Sequence, residues 1–444
     1  MAGKRTLSAK NLQALGVQTL AELLIEVSTG NAVIQRRLRL ALATASGADD
    51  GAQEVRKRLA AIARSTTYID SNKRKALLAD LEAQQRAITG PIATTDPALA
   101  VELQVRLLEL ADGVLDRCSD STGAVISIFQ RGVEALATLA KAASIRTDTL
   151  VEHAADLLQE DGYGQFEGLV PALAPLLGDR GLHELEVALL ERGAVDRFRM
   201  EQLVLGRGDL DRYLELFQPS ELSWPDTAGE VAAQLLKGGR AEGALAVLDQ
   251  ATGAKETMGS EWHSTRIAVL EALGRGEEAQ RHRWRVFHTT LSIPVLRDYL
   301  QRLDDFSDVE AEERAMAVAE QHPDPLAALP FLLSWPALPR AARYVIAHCH
   351  EWDGDAYEIY EPAAERLSAD HPLAASVLLR AMVFFALSTG RSKRYRYAIE
   401  HLRQCERLDA RIHDWQGFES HASFEGRLRE AFGLKWSFWQ MLER

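Results

Sequence analysis

Two glycine-arginine turns, 35 residues apart, constrain this sequence more than any other feature. Gly239 and Gly274 each follow an apolar stretch and precede an arginine, and an alanine stands five positions after each glycine. Glycine ends helices readily because it adopts the left-handed conformation without a steric penalty. A small alanine lets the returning helix approach the first one closely. The pattern predicts two successive helical hairpins.

The first of these hairpins carries an apolar stripe that it cannot bury alone. Ala244, Leu248 and Ala251 recur at helical spacing, and such hairpins become stable by stacking on neighbours. They fit the small, large and small positions of tetratricopeptide arrays, whose period is about 34 residues. In the second hairpin Arg283 stands where the large apolar residue belongs.

Helical spacing of apolar residues continues through most of the chain. A third glycine-arginine pair, Gly390-Arg391, ends the apolar stretch Leu373–Leu387, although its small residue, Ala398, comes eight positions after the glycine. No stretch of useful length alternates as a β-strand does. We therefore predict an all-α fold, an α-solenoid of antiparallel helical hairpins resembling tetratricopeptide arrays, with almost no β-sheet.

The segment from Gly90-Pro91 to Asp96-Pro97 is typical of a linker, because it holds two prolines within seven residues. We place a domain boundary there. Residues 1–90 are predicted to form a basic helical segment, and residues 91–444 a helical-repeat array. Asp96 is a predicted N-cap with Pro97 at the first helical position.

Charge is distributed unevenly along the chain. The net charge of −13 divides into +6 for residues 1–90, −23 for residues 91–379 and +4 for residues 380–444. The acidic middle would repel nucleic acid phosphates, so nucleic acid is not the favoured partner. The acidic middle favours a basic protein or peptide as the partner.

The lack of a recognisable targeting segment and the isolated cysteines both predict a reducing compartment. No apolar run reaches the about 18 residues that a membrane helix needs, and no secretory signal stands at the start. Cys118, Cys349 and Cys405 are isolated in the sequence, which is typical of free thiols in a reducing compartment. We expect a cytoplasmic protein that does not enter membranes.

The sequence contains no catalytic or cofactor motif that we can identify. His348-Cys349-His350 prompts a metal hypothesis, but consecutive residues of a helix point about 100° apart and cannot share one ion. His401 and Cys405 lie four residues apart and supply only two ligands. We predict no metal, no cofactor and no enzymatic activity.

The turn after Gly390 is the densest basic and aromatic stretch of the chain. Either it is a structural turn only, or it contacts an anion or a peptide partner, because helix-start N–H groups and arginines bind carboxylates and phosphates. Arg396 and Glu400 are spaced to pair on a helix surface. The candidate contact residues are Arg391, Lys393, Arg394, Arg396 and Tyr397.

Aromatic residues close the chain. Trp436, Phe438 and Trp439 either form a binding platform or, as we prefer, a cap that seals the last apolar face of the array.

The whole chain resembles a bacterial family of all-helical proteins, catalogued as a domain of unknown function, with tetratricopeptide-like architecture. Its central part is similar to the helical region downstream of SWIM zinc fingers, although the SWIM metal motif itself is absent. The resemblance implies the helical fold and no particular reaction. The segments that carry it are Thr6–Leu12, Arg58–Ile62, Asp161–Gly164, Leu273–Phe287, Gly390–Ala398 and Phe432–Trp439.

These observations predict a non-enzymatic scaffold that binds a protein or peptide partner on a concave helical face. The alternative is a nucleic-acid-associated protein that contacts phosphates through its basic ends. A hydrolase without a known motif is third, and a deep pocket with converging polar groups would favour it.

Overall fold

The computed structural model describes residues 7–252, 259–335 and 337–443, and its regular structure is helical. The described residues contain no strand, only an isolated bridge between Ile69 and Cys118. The predicted all-α fold is confirmed. The chain divides into two compact units, Met1–Gln218 and Pro219–Arg444. Thr6, the first residue of the resemblance segments, lies outside the described residues.

The first unit packs helices that are near neighbours in the chain. Its buried apolar core extends from Leu40 to Leu203, and Gly178, at φ +62°, bends one of its helices. In chain order the α-helices are α1 (Ala9–Gln13), α2 (Val17–Ser28), α3 (Ala32–Ser46), α4 (Ala48–Ala63), α5 (Ser71–Ala87), α6 (Ala93–Thr95), α7 (Pro97–Leu108), α8 (Ala111–Leu115), α9 (Ile126–Ala143), α10 (Thr147–Gln159), α11 (Leu169–Glu191), α12 (Arg197–Gly206) and α13 (Leu210–Glu215).

The proline-containing segment expected to be a linker is ordered and largely helical. Ile88–Ile92 form a π-helix that includes Pro91, and both of its terminal isoleucines are fully buried. An irregular linker is therefore the wrong interpretation here, because these isoleucines anchor the segment in the core. Asp96 caps α7 as predicted, accepting a hydrogen bond from the Leu99 N–H at 3.0 Å. The domain boundary at residue 90 stays a prediction.

The second unit is also built from helices. Its buried apolar residues include one cluster around Phe331 and Leu378 and another around Leu402 and Phe438. A 3-10 turn, Ser392–Arg394, precedes the third-last α-helix. The α-helices are α14 (Pro225–Lys237), α15 (Ala241–Gln250), α16 (Ser260–Ala272), α17 (Gly276–Thr290), α18 (Ile293–Leu300), α19 (Ser307–Glu320), α20 (Pro325–Ser334), α21 (Leu338–Ala347), α22 (Tyr357–Leu367), α23 (Pro372–Ser388), α24 (Tyr395–Asp409), α25 (His421–Phe432) and α26 (Trp436–Leu442).

All three glycine-arginine pairs form the same turn. Gly239, Gly274 and Gly390 have φ values of +78°, +69° and +65°, as a left-handed helix end requires. Each following arginine donates its backbone N–H to the carbonyl oxygen five residues earlier: Arg240 to Leu235 (2.8 Å), Arg275 to Leu270 (2.8 Å) and Arg391 to Ala386 (3.2 Å). The flanking helices pack on each other, so the predicted hairpins are confirmed.

Arg283, on the second helix of the second hairpin, is buried. Its side chain is 1% exposed and forms ion pairs with Glu271 and Asp298. The position predicted to disturb the pattern is therefore enclosed after all, with its charge neutralised by neighbouring helices.

The aromatic residues at the end of the chain differ in burial. Phe438 and Trp439 are buried, and the Phe438 ring meets Tyr395 with 5.5 Å between centroids. Trp436 is 76% exposed. That these residues cap a repeat array stays a prediction.

Candidate functional site

The basic turn predicted as a contact site borders a cavity in the second unit. Gly390 ends α23, the 3-10 turn Ser392–Arg394 follows, and α24 begins at Tyr395. Tyr395 is buried and fixes the start of α24 in the core. Tyr397, Ala398 and His401 of α24 share the lining of a cavity with residues of α22 and α23.

We call the space between these elements the Tyr397 cavity. It has a volume of about 360 Å³, which is within the range of small ligand pockets. Its walls combine methylene and methyl groups with two phenol rings and a few charged groups. The lining residues are Gly354, Tyr357, Glu361, Met382, Ala386, Lys393, Arg394, Tyr397, Ala398 and His401.

Arg394 is held in place on one wall of the cavity. Its Nη1 donates a hydrogen bond to Asp355 at 2.9 Å, and its guanidinium carbon lies 4.6 Å from the centroid of the Tyr357 ring. Arg391 donates to the same Asp355 oxygen at 3.2 Å and lies over Phe385. One carboxylate therefore serves two guanidinium groups, and the cluster keeps a net positive charge.

Lys393 adds a further positive charge to the cavity lining. It lines the cavity and is exposed, and within the described part of the chain its ammonium group has no hydrogen-bond or ion-pair partner. An ammonium group placed beside apolar walls attracts a carboxylate or phosphate.

Tyr397 forms an exposed wall of the cavity and contacts Arg396. Arg396 donates to the Tyr397 hydroxyl at 3.1 Å and stacks on the ring at 4.9 Å. The predicted surface pair of Arg396 with Glu400 is wrong, because Glu400 pairs instead with Arg407 at 3.1 Å. Of the five predicted contact residues, three line the cavity: Lys393, Arg394 and Tyr397. Arg391 and Arg396 are outside the lining.

His401 and Glu361 form a further part of the cavity lining, the histidine buried and the glutamate exposed. His401 is buried, and its Nε2 lies 3.7 Å from a Glu361 carboxylate oxygen. Burial lowers the pKa of His401, while Glu361 acts in the opposite direction. The sequence pattern paired His401 with Cys405, but that thiol is fully buried and points to the Ser376 carbonyl.

Sequence reasoning missed the wall that α22 contributes. Tyr357 and Glu361 lie about thirty residues before the basic turn, and nothing in the local pattern connects them to it. Their i, i+4 spacing places both on one face of α22, and this is the one feature that could have marked them as a pair. In the described ranges, no three His, Cys, Asp or Glu side chains gather as a metal site would require.

Comparison with protein-family models matches residues 2–198 and 190–441 to a family described as a family of unknown function (DUF6880). Comparisons with curated proteins and with solved structures give no match. Among the described residues, no helix combines the length and apolar content needed to traverse a lipid bilayer. Because the family model matches almost the whole chain, the protein belongs to this family of unknown function.

Proposed function

We propose that this protein is a non-enzymatic helical-repeat scaffold that binds a protein or peptide partner through the Tyr397 cavity. The observation that carries the proposal is the position of the exposed Lys393, which has no partner among the described residues, in the lining of a cavity that also contains two phenol rings and apolar side chains. Peptides are commonly held by one buried apolar side chain and a few charged contacts around it.

The chemistry of the lining favours a particular kind of peptide. Met382, Ala386 and Ala398 offer apolar contacts to one inserted side chain. Lys393 and Arg394 favour a carboxylate on a neighbouring residue of that peptide. The acidic middle of the chain predicted a basic partner, and that stays a prediction for other surfaces, since this cavity itself favours an acidic segment.

Binding is also better supported here than nucleophilic catalysis. The His401–Glu361 pair resembles a base with its orienting carboxylate. The described residues that line the cavity include no serine, threonine or cysteine for that base to activate. The hydrolase hypothesis therefore has less support at this site than the binding hypothesis.

The scaffold part of the proposal rests on packing between chain neighbours. In the second unit α14 packs on α15 and α16, and α17 packs on α16 and α18. Stacking of this kind is how tetratricopeptide-like solenoids are built. A solenoid arrangement, kinship with the helical region downstream of SWIM zinc fingers, and a cytoplasmic location that suits the free thiols of Cys118, Cys349 and Cys405 belong to this proposal.

Selection of peptides tests the proposal directly. Random peptides displayed on phage are selected on the purified protein, and an enriched peptide is titrated by fluorescence anisotropy. We expect an apolar residue next to Asp or Glu and a dissociation constant on the order of 10 µM. Lys393→Glu and Tyr397→Ala should each weaken binding at least about tenfold, equivalent to about 1.4 kcal/mol.

The matched control is Arg407→Glu, which makes the same kind of charge change on α24 outside the cavity lining. It should leave the affinity unchanged. Failure to enrich any peptide, or equal weakening by Arg407→Glu and Lys393→Glu, contradicts the proposal. Titration with DNA and RNA at about 50 mM salt tests the nucleic-acid alternative, because phosphate contacts are strongest at low salt.

A further inference from the structure

Arg380, on α23, is a buried cation that forms no ion pair with any described carboxylate. The residue is 8% exposed. Its Nη1 donates to the Glu419 backbone carbonyl at 2.8 Å, and its guanidinium carbon lies over the rings of Trp415 and Phe424, 4.8 and 4.9 Å from their centroids. None of these contacts carries a full negative charge. A buried charge is costly unless an opposite charge and hydrogen bonds accompany it.

One edge of this guanidinium group is unsatisfied. In the described structure, neither Nε nor Nη2 of Arg380 has a hydrogen-bond partner. These two nitrogens form one side of the planar group, with N–H bonds that point the same way, and arginine uses such an edge to bind anions through two parallel hydrogen bonds. One turn earlier on the same helix face, the fully buried Ser376 hydroxyl also lacks a partner. The unsatisfied groups therefore match a negatively charged acceptor.

The groups around Arg380 do not supply the missing charge. The Cys405 thiol, on α24, interacts with Arg380, but burial raises the pKa of this thiol to about 11, so it is neutral at pH 7. Asp409 and Glu419 act on Arg380 only at longer range, and the Glu419 carboxylate pairs with Arg427 at 2.6 Å. A water molecule would accept hydrogen bonds from the free edge without adding charge.

We propose that a small monovalent anion, such as chloride or formate, binds in the core of the second unit between α23, α24 and α25, against the Nε–Nη2 edge of Arg380. The anion accepts both N–H groups and neutralises the guanidinium. Its size is limited because Ser376 and Cys405 are fully buried and Phe424 is 2% exposed. Since Arg380 also holds the backbone just before α25, the bound anion stabilises the packing of α25 on α23.

Thermal unfolding at constant ionic strength tests this inference, with sodium gluconate replaced stepwise by sodium chloride or sodium formate. All eight tryptophans lie in the second unit, so their fluorescence reports the melting temperature of this unit within the full-length chain. A ligand that binds only the folded chain stabilises it. For a dissociation constant on the order of 10 mM, an increase in chloride from about 10 to about 300 mM should raise the melting temperature by about 4 °C. The anion with the larger effect at equal concentration is the preferred ligand.

Two arginine variants locate the effect. Arg380→Met removes the charge but nearly keeps the length of the side chain, and it should abolish the dependence on the anion. Arg429→Met is the matched control, because Arg429 also lies over an aromatic ring, 4.4 Å from the centroid of Trp439, but is half-exposed and pairs with Glu425. This variant should keep the full dependence. A wild type equally stable in chloride, formate and gluconate, or an equal loss of the dependence in both variants, would overturn the inference.

A measurement on the wild type covers the case in which Arg380→Met does not fold. Crystals soaked in sodium bromide should show an anomalous scattering peak within hydrogen-bond reach of both Nε and Nη2 of Arg380. Density for a water molecule at this edge, or bromide bound only at the protein surface, would contradict the proposed site.

Discussion

Arg283, on α17, donates a hydrogen bond from its Nε to Asp298 on α18, although the arginine side chain is almost completely enclosed. Glu271, on α16, accepts one hydrogen bond from Arg283 and another from Arg302, the latter at 3.0 Å. Arg302 also pairs with Asp298, which completes a ring of four alternating charges. The ring connects three consecutive helices of the second unit.

Removal of Arg283 should destabilise the second unit strongly. Arg283→Ala leaves a cavity in the core and deprives two carboxylates of their enclosed partner, and we expect a loss of about 3 kcal/mol in the free energy of unfolding. Arg283→Met fills the space without the charge and should lose less. Urea denaturation followed by circular dichroism measures both.

The control for Arg283 is Arg275→Ala, which removes a surface pair with Glu278. Surface ion pairs contribute little, so its unfolding midpoint should stay close to that of the wild type. If Arg283→Ala is no more harmful than Arg275→Ala, the enclosed ring does not stabilise the unit.

Gly354 should tolerate no side chain. Its φ is +80°, and a Cβ would lie 2.2 Å from the Ala381 carbonyl oxygen and 2.7 Å from the Phe385 Cβ. Gly354→Ala combines left-handed strain with a backbone clash, so we expect a loss of about 3 kcal/mol. Gly417, at φ +87°, has no atom within 4 Å of such a Cβ, and Gly417→Ala should lose only about 1 kcal/mol. Equal unfolding midpoints for the two variants would contradict the clash.

Acid should weaken the second unit through a buried histidine pair. His263 Nδ1 and His282 Nε2 lie 3.0 Å apart, and both rings are buried. One of these two nitrogens carries a hydrogen and donates the hydrogen bond, and the other must be unprotonated to accept it. Burial lowers the pKa of His263, and the positive charges of Arg285 and Arg266 act in the same direction.

The direction of the pH dependence follows from this lowered pKa. The unfolded chain, with His near its usual pKa of about 6.5, binds more protons than the folded chain. Stability is therefore fully present above about pH 6.5 and declines as the pH falls toward the folded pKa.

Melting temperatures between pH 7.5 and 5.5 should fall less steeply for His263→Asn than for the wild type or for exposed His413→Asn. His401, whose pKa burial also lowers, accounts for part of the remaining slope. Parallel profiles for His263→Asn and wild type would rule out this role of His263.

The helices and their ends could be predicted from sequence because their causes are local. Gly239, Gly274 and Gly390 end helices by their own conformational freedom, and Asp96 caps α7 through a side chain three residues from its partner. The Ile88–Ile92 segment could not, since Gly90 and Pro91 favour a break and only burial of the isoleucines in the core overrides that preference.

The candidate site was predictable only in part for the same physical reason. Lys393, Arg394 and Tyr397 form one dense local cluster, whereas Tyr357 and Glu361 meet it only after α22 folds against α23 and α24. Which charges are neutralised is also a tertiary property, because Asp355 has no sequence relationship to the two arginines that it serves.

This sharing of Asp355 gives a prediction in which binding improves. Asp355 accepts hydrogen bonds from both Arg391 and Arg394, so it competes with any carboxylate that approaches the cavity. Asp355→Asn keeps an acceptor oxygen to position the guanidinium groups but removes the negative charge. If the Tyr397 cavity binds acidic peptides as proposed, the variant should bind a selected peptide about fivefold more tightly, equivalent to about 1 kcal/mol. Anisotropy titrations at two salt concentrations measure the gain, which should shrink as salt rises.

Glu406→Gln makes the same charge change at an exposed position of α24 outside the lining and should leave affinity unchanged. An equal gain in both variants would indicate a general effect of net charge, and a loss in Asp355→Asn would mean that the carboxylate chiefly orients the arginines.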